Sequence, residues 1–306
     1  MRLLTPSFEI LEQKDYTLKG IKKFIERCAR VSYKSEDKIT DESYEKFVNM
    51  LINRQHYRPL EFGTVYLNFN KLDLSDDKQR LIYQEMENKY SHNHWSRFIN
   101  GFCTTNFRVI VENNWYDDLK YIEDKPKATH PFEPRYTVHF IIDRGVMDEF
   151  RTHIGLSHVA ESTRYCNYSK DKHDKQISFI IPEYAMDLFS WGQTDELNET
   201  VIQKLHENGR PTTKLKPLTN ELLGGLLNSE QTYLNMLKEG ATPQQARAIL
   251  PLQIKSELIS CGYADAWENF FKLRTDNAAH PEARRIAIPL KNEFLNRNWI
   301  EQSFID

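Results

Sequence analysis

The sequence predicts an α+β protein, with helices and strands interleaved along one chain, and three stretches carry that reading. Leu18, Ile21, Phe24, Ile25 and Cys28 recur at the spacing that places apolar side chains on one face of a helix. Tyr136 to Ile142 is a nearly continuous run of β-branched and aromatic residues, the composition of a strand. Asn220 to Lys238 carries a stripe of Leu222, Leu223, Leu226, Leu227, Tyr233, Leu234 and Leu237 and stops at Gly240, as a core helix does.

The remaining elements follow from the same signals. Asp41 is placed to cap a second helix, whose buried face is Tyr44, Phe47, Val48, Leu51 and Ile52 and which the polar cluster Arg54 to Pro59 ends. Thr64 to Phe69 alternates well enough to be a strand, and the charged stretch from Lys71 to Asn93 reads as an exposed insertion. Phe98 to Val111 is β-rich with a break at Asn106, and a charged helix-like segment over Asn113 to Ile122 leads into a proline-containing linker from Lys125 to Pro134. Asp143 can cap a helix beginning at Gly145; Ile177 to Ile181 is a strand ended by Pro182, and Glu196 to Leu205 is helical. Thr242-Pro243 is a helix start with Pro at the first helical position, opening a short helix over Gln244 to Leu250 that presents Arg247. A strand over Ile254 to Ser260, a helix opened by Asp265 and reaching Arg274, and a last helix from Pro281 complete the chain.

Net charge is −3, from 41 basic and 44 acidic residues in 306, so no global field draws the chain to nucleic acid or an anionic membrane. Anion binding has to be local. No apolar run approaches the length of a membrane span and the first residues lack the apolar core of a signal peptide, so a cytoplasmic protein is expected. Cys28, Cys103, Cys166 and Cys261 form no CxxC pair, which points to reduced thiols and to no metal site.

Asp143 to Pro182 concentrates charged, hydroxyl and imidazole side chains between two strand-like runs, as a site for a charged ligand requires. Glu149 and His153 lie four residues apart on one helix face; they can act on one ligand or form a solvated surface pair. Ser162-Thr163-Arg164-Tyr165 offers two hydroxyls, a guanidinium and backbone donors to a phosphate, or is an ordinary polar turn. Arg247 and Arg274 sit in apolar helices, where a guanidinium needs an anion or a structural ion pair. Cys166 has no evident activating base and reads as an inert thiol.

Several blocks, in order, resemble the flavin-dependent thymidylate synthase family: Ala29 to Tyr33, His56 to Glu61, Thr104 to Val109, the stretch around Glu161 to Tyr165, Gln245 to Pro251 and Trp267 to Arg274. The resemblance implies a single domain over 1–306 with insertions near 71–93 and 185–218. It also implies a central, mainly antiparallel sheet with flanking helices, and a homotetramer with interfacial active sites. The implied reaction is reductive methylation of dUMP to dTMP at C5, with FAD, with methylenetetrahydrofolate as carbon donor and with NADPH as reductant. In that frame Arg274 is catalytic, polarising the uracil ring, and Glu149, Ser162, Thr163, Arg164, Arg247 and Arg274 bind the nucleotide. His56, Arg58, Glu61, His153 and Asn269 fall on the flavin side.

The family signature Arg-His-Arg, seven residues, then Ser reads Thr152-His153-Ile154 here, and an Asn-x-Arg on the flavin side would fall at Tyr263-Ala264-Asp265. Arg58 and Arg151 are the nearby cations that can take over. The departures leave room for a flavin-deficient relative that hydroxymethylates the pyrimidine at C5, and for a nucleotide-binding homologue without catalysis.

Overall fold

The structure, a computed structural model, describes residues 1–164, 166–170, 176–186, 196–197 and 216–302. Strands β1 (Arg2–Leu4) and β2 (Ser7–Leu11) precede helices α1 (Leu18–Arg30) and α2 (Ser43–Asn53). Next come β3 (Thr64–Asn68), α3 (Asp77–Ser91), β4 (Arg97–Ile99), β5 (Phe102–Asn106) and α4 (Phe107–Glu112). The central stretch is β6 (Tyr136–Asp143), α5 (Arg144–Phe150), β7 (Ser157–Ala160), β8 (Ser178–Ile180) and β9 (Glu196–Leu197). Helices α6 (Pro217–Lys238) and α7 (Pro243–Ala246), strand β10 (Lys255–Gly262) and helices α8 (Ala264–Arg274) and α9 (Pro281–Asn296) follow.

Helices and antiparallel sheets are thus mixed as expected, although the described strands form three sheets rather than one. The largest has the order β2-β6-β10-β7 and is antiparallel throughout, with β6 and β10 paired from Lys255 opposite Asp143 to Gly262 opposite Tyr136. Because successive strand residues face opposite sides, Val138, Phe140, Ile142 and Leu258 pack on one face against Phe150 of α5, Trp267, Phe270 and Phe271 of α8, and Phe294 of α9. On the other face Val159, Ile259 and Cys261 meet Phe24 and Cys28 of α1. The β3-β5-β4 sheet builds a second core with α1, α2 and α3, and β8-β1-β9, in which β1 and β8 run parallel, lies against α6.

Several local expectations are corrected. Asp41 does not cap α2; Glu42 holds that position without a side-chain bond, and Asp41 instead reaches Lys23 Nζ at 3.2 Å. Phe107 to Val111 is helical despite its β-branched residues, because the Asn106 side chain accepts from Val109 N at 3.2 Å and turns the chain. Within Lys71 to Asn93, Asp76 caps α3, which buries Met86 and Tyr90. Only a 3-10 turn over Tyr116–Tyr121 forms where a charged helix was expected. Tyr263, not Asp265, occupies the N-cap of α8. Of the helix expected over Glu196 to Leu205 only β9 is described, as a strand beside β1; Tyr165 and most of 185–218 lie outside the described residues. Among the described residues no helix is long and apolar enough to cross a membrane.

Candidate functional site

The end of α2 sets one wall of the site. Gln55 N donates to Ile52 O and His56 N to Leu51 O, both at 2.9 Å, closing a Schellman turn that delivers Gln55, His56, Tyr57 and Arg58 to the mouth of a cleft of about 1010 Å³. The opposite wall is β7 and the segment after it, His158 to Arg164; Arg144 and Arg151 enter from α5, Arg108 from α4 and Arg247 from the turn after α7.

Among the described residues six arginines (Arg58, Arg108, Arg144, Arg151, Arg164 and Arg247) line this cleft against two carboxylates, Glu112 and Glu161. Those two are already engaged, Glu112 with Arg108 at 2.8 Å and Glu161 with Lys255 at 3.0 Å. Glu61, buried beneath the wall, holds the other end of Arg108 in an ion pair. Arg144 and Arg151 share Asp148 at 3.4 and 3.6 Å, whereas Arg247 reaches Thr163 Oγ1 at 3.4 Å. In a chain of net charge −3, this concentration of guanidinium groups makes a local anion site, fit for phosphates.

In the β7 wall, His158 is buried and sits between Ser260 Oγ at 2.9 Å and the His153 carbonyl at 3.0 Å. That carbonyl leads to a second constellation. Arg274, at the end of α8, donates to His153 Nε2 (2.8 Å), Glu149 Oε2 (2.9 Å), Glu149 O (2.9 Å) and Thr152 Oγ1 (3.0 Å). Accepting at Nε2 requires a neutral His153 with its proton on Nδ1. Burial, helped by the Arg274 cation, pushes the His153 pKa down to about 4. His158 is likewise held at about 4, by burial first and then by surrounding charges that include Arg58 and Arg151.

A buried charge network underlies the cleft on β10. Glu257 meets Lys255 at 2.5 Å, His139 at 2.9 Å and Lys34 in a further ion pair. Burial alone would raise the Glu257 pKa, but the His139 hydrogen bond and the two lysines outweigh it and hold the carboxyl well below its usual range.

The structure therefore brings His56, Arg58, Ser162, Thr163, Arg164 and Arg247 into one cleft, with Glu61 supporting it from below. It groups Glu149, His153 and Arg274 separately, and it leaves Asn269 exposed on α8, outside both groups. Arg247 is exposed rather than set in an apolar surround. Sequence reading missed Arg144, His158 and Gln55: the first looks like a helix-start residue, and the others belong to a strand and a turn whose neighbours across the cleft are remote in sequence. Cys166 is buried with its Sγ 3.5 Å from Glu161 Oε1.

An arginine-lined cleft beside an antiparallel sheet is a candidate site for phosphorylated ligands. The chain belongs to the thymidylate synthase complementing protein family, whose model matches residues 72–297. It is 28% identical over 123 residues to a flavin-dependent thymidylate synthase of Thermotoga neapolitana, covering 40% of this chain and 49% of that one. To the Synechocystis enzyme of the same name it is 34% identical over 67 residues, 22% of this chain and 31% of the other. The chain thus spans about half, or less, of the length of these curated relatives. Among solved structures, a UMP/dUMP methylase PolB from Streptomyces cacaoi bound with 5-Br UMP is 14% identical, with 99% of this chain and 93% of that one covered and a TM-score of 0.43. Thymidylate synthase X from Helicobacter pylori with FAD and dUMP is 18% identical over 56% of this chain and 73% of that one, with a TM-score of 0.38.

Proposed function

We propose that the protein is a flavin-dependent thymidylate synthase-like enzyme that methylates dUMP to dTMP at C5, with methylenetetrahydrofolate as carbon donor and NADPH as reductant. The observation that carries the reading is the cleft with six arginines and two engaged carboxylates in a chain of this family. Ser162, Thr163, Arg164 and Arg247 would bind the nucleotide phosphate through hydroxyl and charge-assisted hydrogen bonds.

The residues also fit FAD. Thr152 and the almost fully exposed Ile154 bring no charge, but Arg58 and Arg151 both line the cleft, and its volume exceeds what a mononucleotide needs. They would hold the pyrophosphate, with His56 at the same wall. When bound and reduced by NADPH, the flavin would supply the hydride that reduces the transferred carbon to a methyl group.

Arg274 would stabilise charge on the pyrimidine ring oxygens and so make C5 nucleophilic. Glu149 fixes the guanidinium plane, and neutral His153 fixes its edge. Arg274 does not line the cleft of its own chain, so the reading requires a second copy to complete each site, as in the homotetramer that the family resemblance implies.

The test is a visible-absorbance titration with FAD, with and without dUMP, followed by mass analysis of the nucleotide product. Flavin uptake and a product heavier than dUMP by one CH2 unit are expected. A hydroxymethyl product would replace the reductive step, and binding of neither FAD nor dUMP would overturn the reading.

A further inference from the structure

Glu161 lines two cavities at once: the arginine cleft, and a second cavity of about 460 Å³ that Lys34, Lys255 and Glu257 also line. Its side chain is only 2% exposed, and it immediately precedes Ser162, Thr163 and Arg164. A carboxylate built into the wall of a phosphate cleft works against the ligand, since two anions repel and a buried charge is poorly screened by water. Lys255 offsets it. Rising from β10 with its side chain 15% exposed, it donates to Glu161 Oε2 at 3.0 Å and to Glu257 Oε1 at 2.5 Å. Burial alone would lower the Lys255 pKa, but the two carboxylates outweigh it and keep the ammonium charged. Glu257 has Lys34 and His139 as further partners, whereas among the described residues Lys255 is the one cation in salt-bridge reach of Glu161. Main-chain bonds already place the segment, Glu161 N donating to Glu257 O at 2.8 Å and Ser162 N to Ser32 O at 3.3 Å. What the lysine adds is charge.

We propose that Lys255 is a positioning residue for the nucleotide phosphate, acting through Glu161: it cancels the carboxylate in the cleft wall, so that the field at Ser162, Thr163 and Arg164 is that of the arginines. Lys255 does not itself line the cleft. The proposal rests on the reading of the cleft as a nucleotide site.

The test titrates dUMP and deoxyuridine, which has the same base and sugar without the phosphate, into wild type, Lys255→Met, Glu161→Gln and the double variant. Lys255→Met should lose about tenfold in affinity for dUMP and none for deoxyuridine, because only the phosphate meets the uncovered carboxylate. The double variant removes the lysine together with the charge it covers and should bind dUMP within about threefold of wild type. A lysine with a purely structural role would not be rescued by the loss of its partner. Equal losses for dUMP and deoxyuridine, no loss for dUMP, or a double variant as weak as Lys255→Met would each overturn the proposal and leave the nucleotide reading standing. Should Lys255→Met not fold, Glu161→Gln decides. It keeps an acceptor for Lys255 and should bind dUMP at least as tightly as wild type, so a complex about tenfold weaker overturns the proposal. If wild type does not bind dUMP, the nucleotide reading itself falls and takes the proposal with it.

Discussion

His153 and His158 join the two halves of the site through a single carbonyl, and His153 must stay neutral for the geometry to hold. His153 accepts from Arg274 at Nε2, and protonation there would set an imidazolium against a guanidinium at 2.8 Å. Each imidazole is held at about 4 when folded, against an ordinary value near 6.5. An unfolded chain takes up protons at both positions as the pH falls below about 6.5, whereas the folded chain does not until about 4. The unfolded state therefore binds more protons throughout that window, and stability is expected to fall as pH drops from 6.5 towards 4. Melting temperatures measured across the window should decline steadily. A His158→Gln variant should show a shallower decline, whatever its absolute stability; an unchanged slope would mean that His158 does not titrate differently on folding.

At the scale of elements, α4 shows how one side chain redirects the chain towards the site. Phe107, Val109, Ile110 and Val111 favour a strand, yet the carboxamide of Asn106 captures Val109 N and starts a helix that presents Arg108 to the cleft. Asn106→Ala should cost about 1 kcal/mol in denaturant unfolding, and Asn106→Ser, which keeps a capping oxygen, should recover most of it. Equal losses for the two variants would show that the cap contributes nothing. The same element marks where sequence reading stops. Helices α1 and α6 and strand β6 were legible because the two helices repeat an apolar signal over a dozen residues or more and the strand is a run of β-branched and aromatic residues. Strand β7 was not: Ser157 to Ala160 is four residues long and half polar, and it owes its conformation to pairing with Leu258 to Cys261. The site divides in the same way. Ser162, Thr163 and Arg164 could be read because they adjoin one another, while Arg108 and Arg144 reach the cleft only through the pairing of distant strands and the helices these carry.

At the scale of the whole molecule, the distribution of arginines raises the question of how many chains make a site. Arg247 lines the cleft, whereas Arg274 is tied to Glu149, Thr152 and His153 on a surface that carries exposed Ile154 and Leu273. If nucleotide binds in the cleft and Arg274 acts on its ring, the two residues must come from different copies of the chain. Two single variants separate the possibilities. Arg247→Ala and Arg274→Ala should each be inactive alone. Mixed in equal amounts and allowed to reassemble, they should regain about a quarter of wild-type activity, because a site needs an intact cleft from one copy and an intact Arg274 from its neighbour, each present half the time. Light scattering should report a tetramer in every sample. Were Arg274 to serve the cleft of its own chain, no subunit in the mixture would carry both residues, and the mixture would stay as inactive as its components.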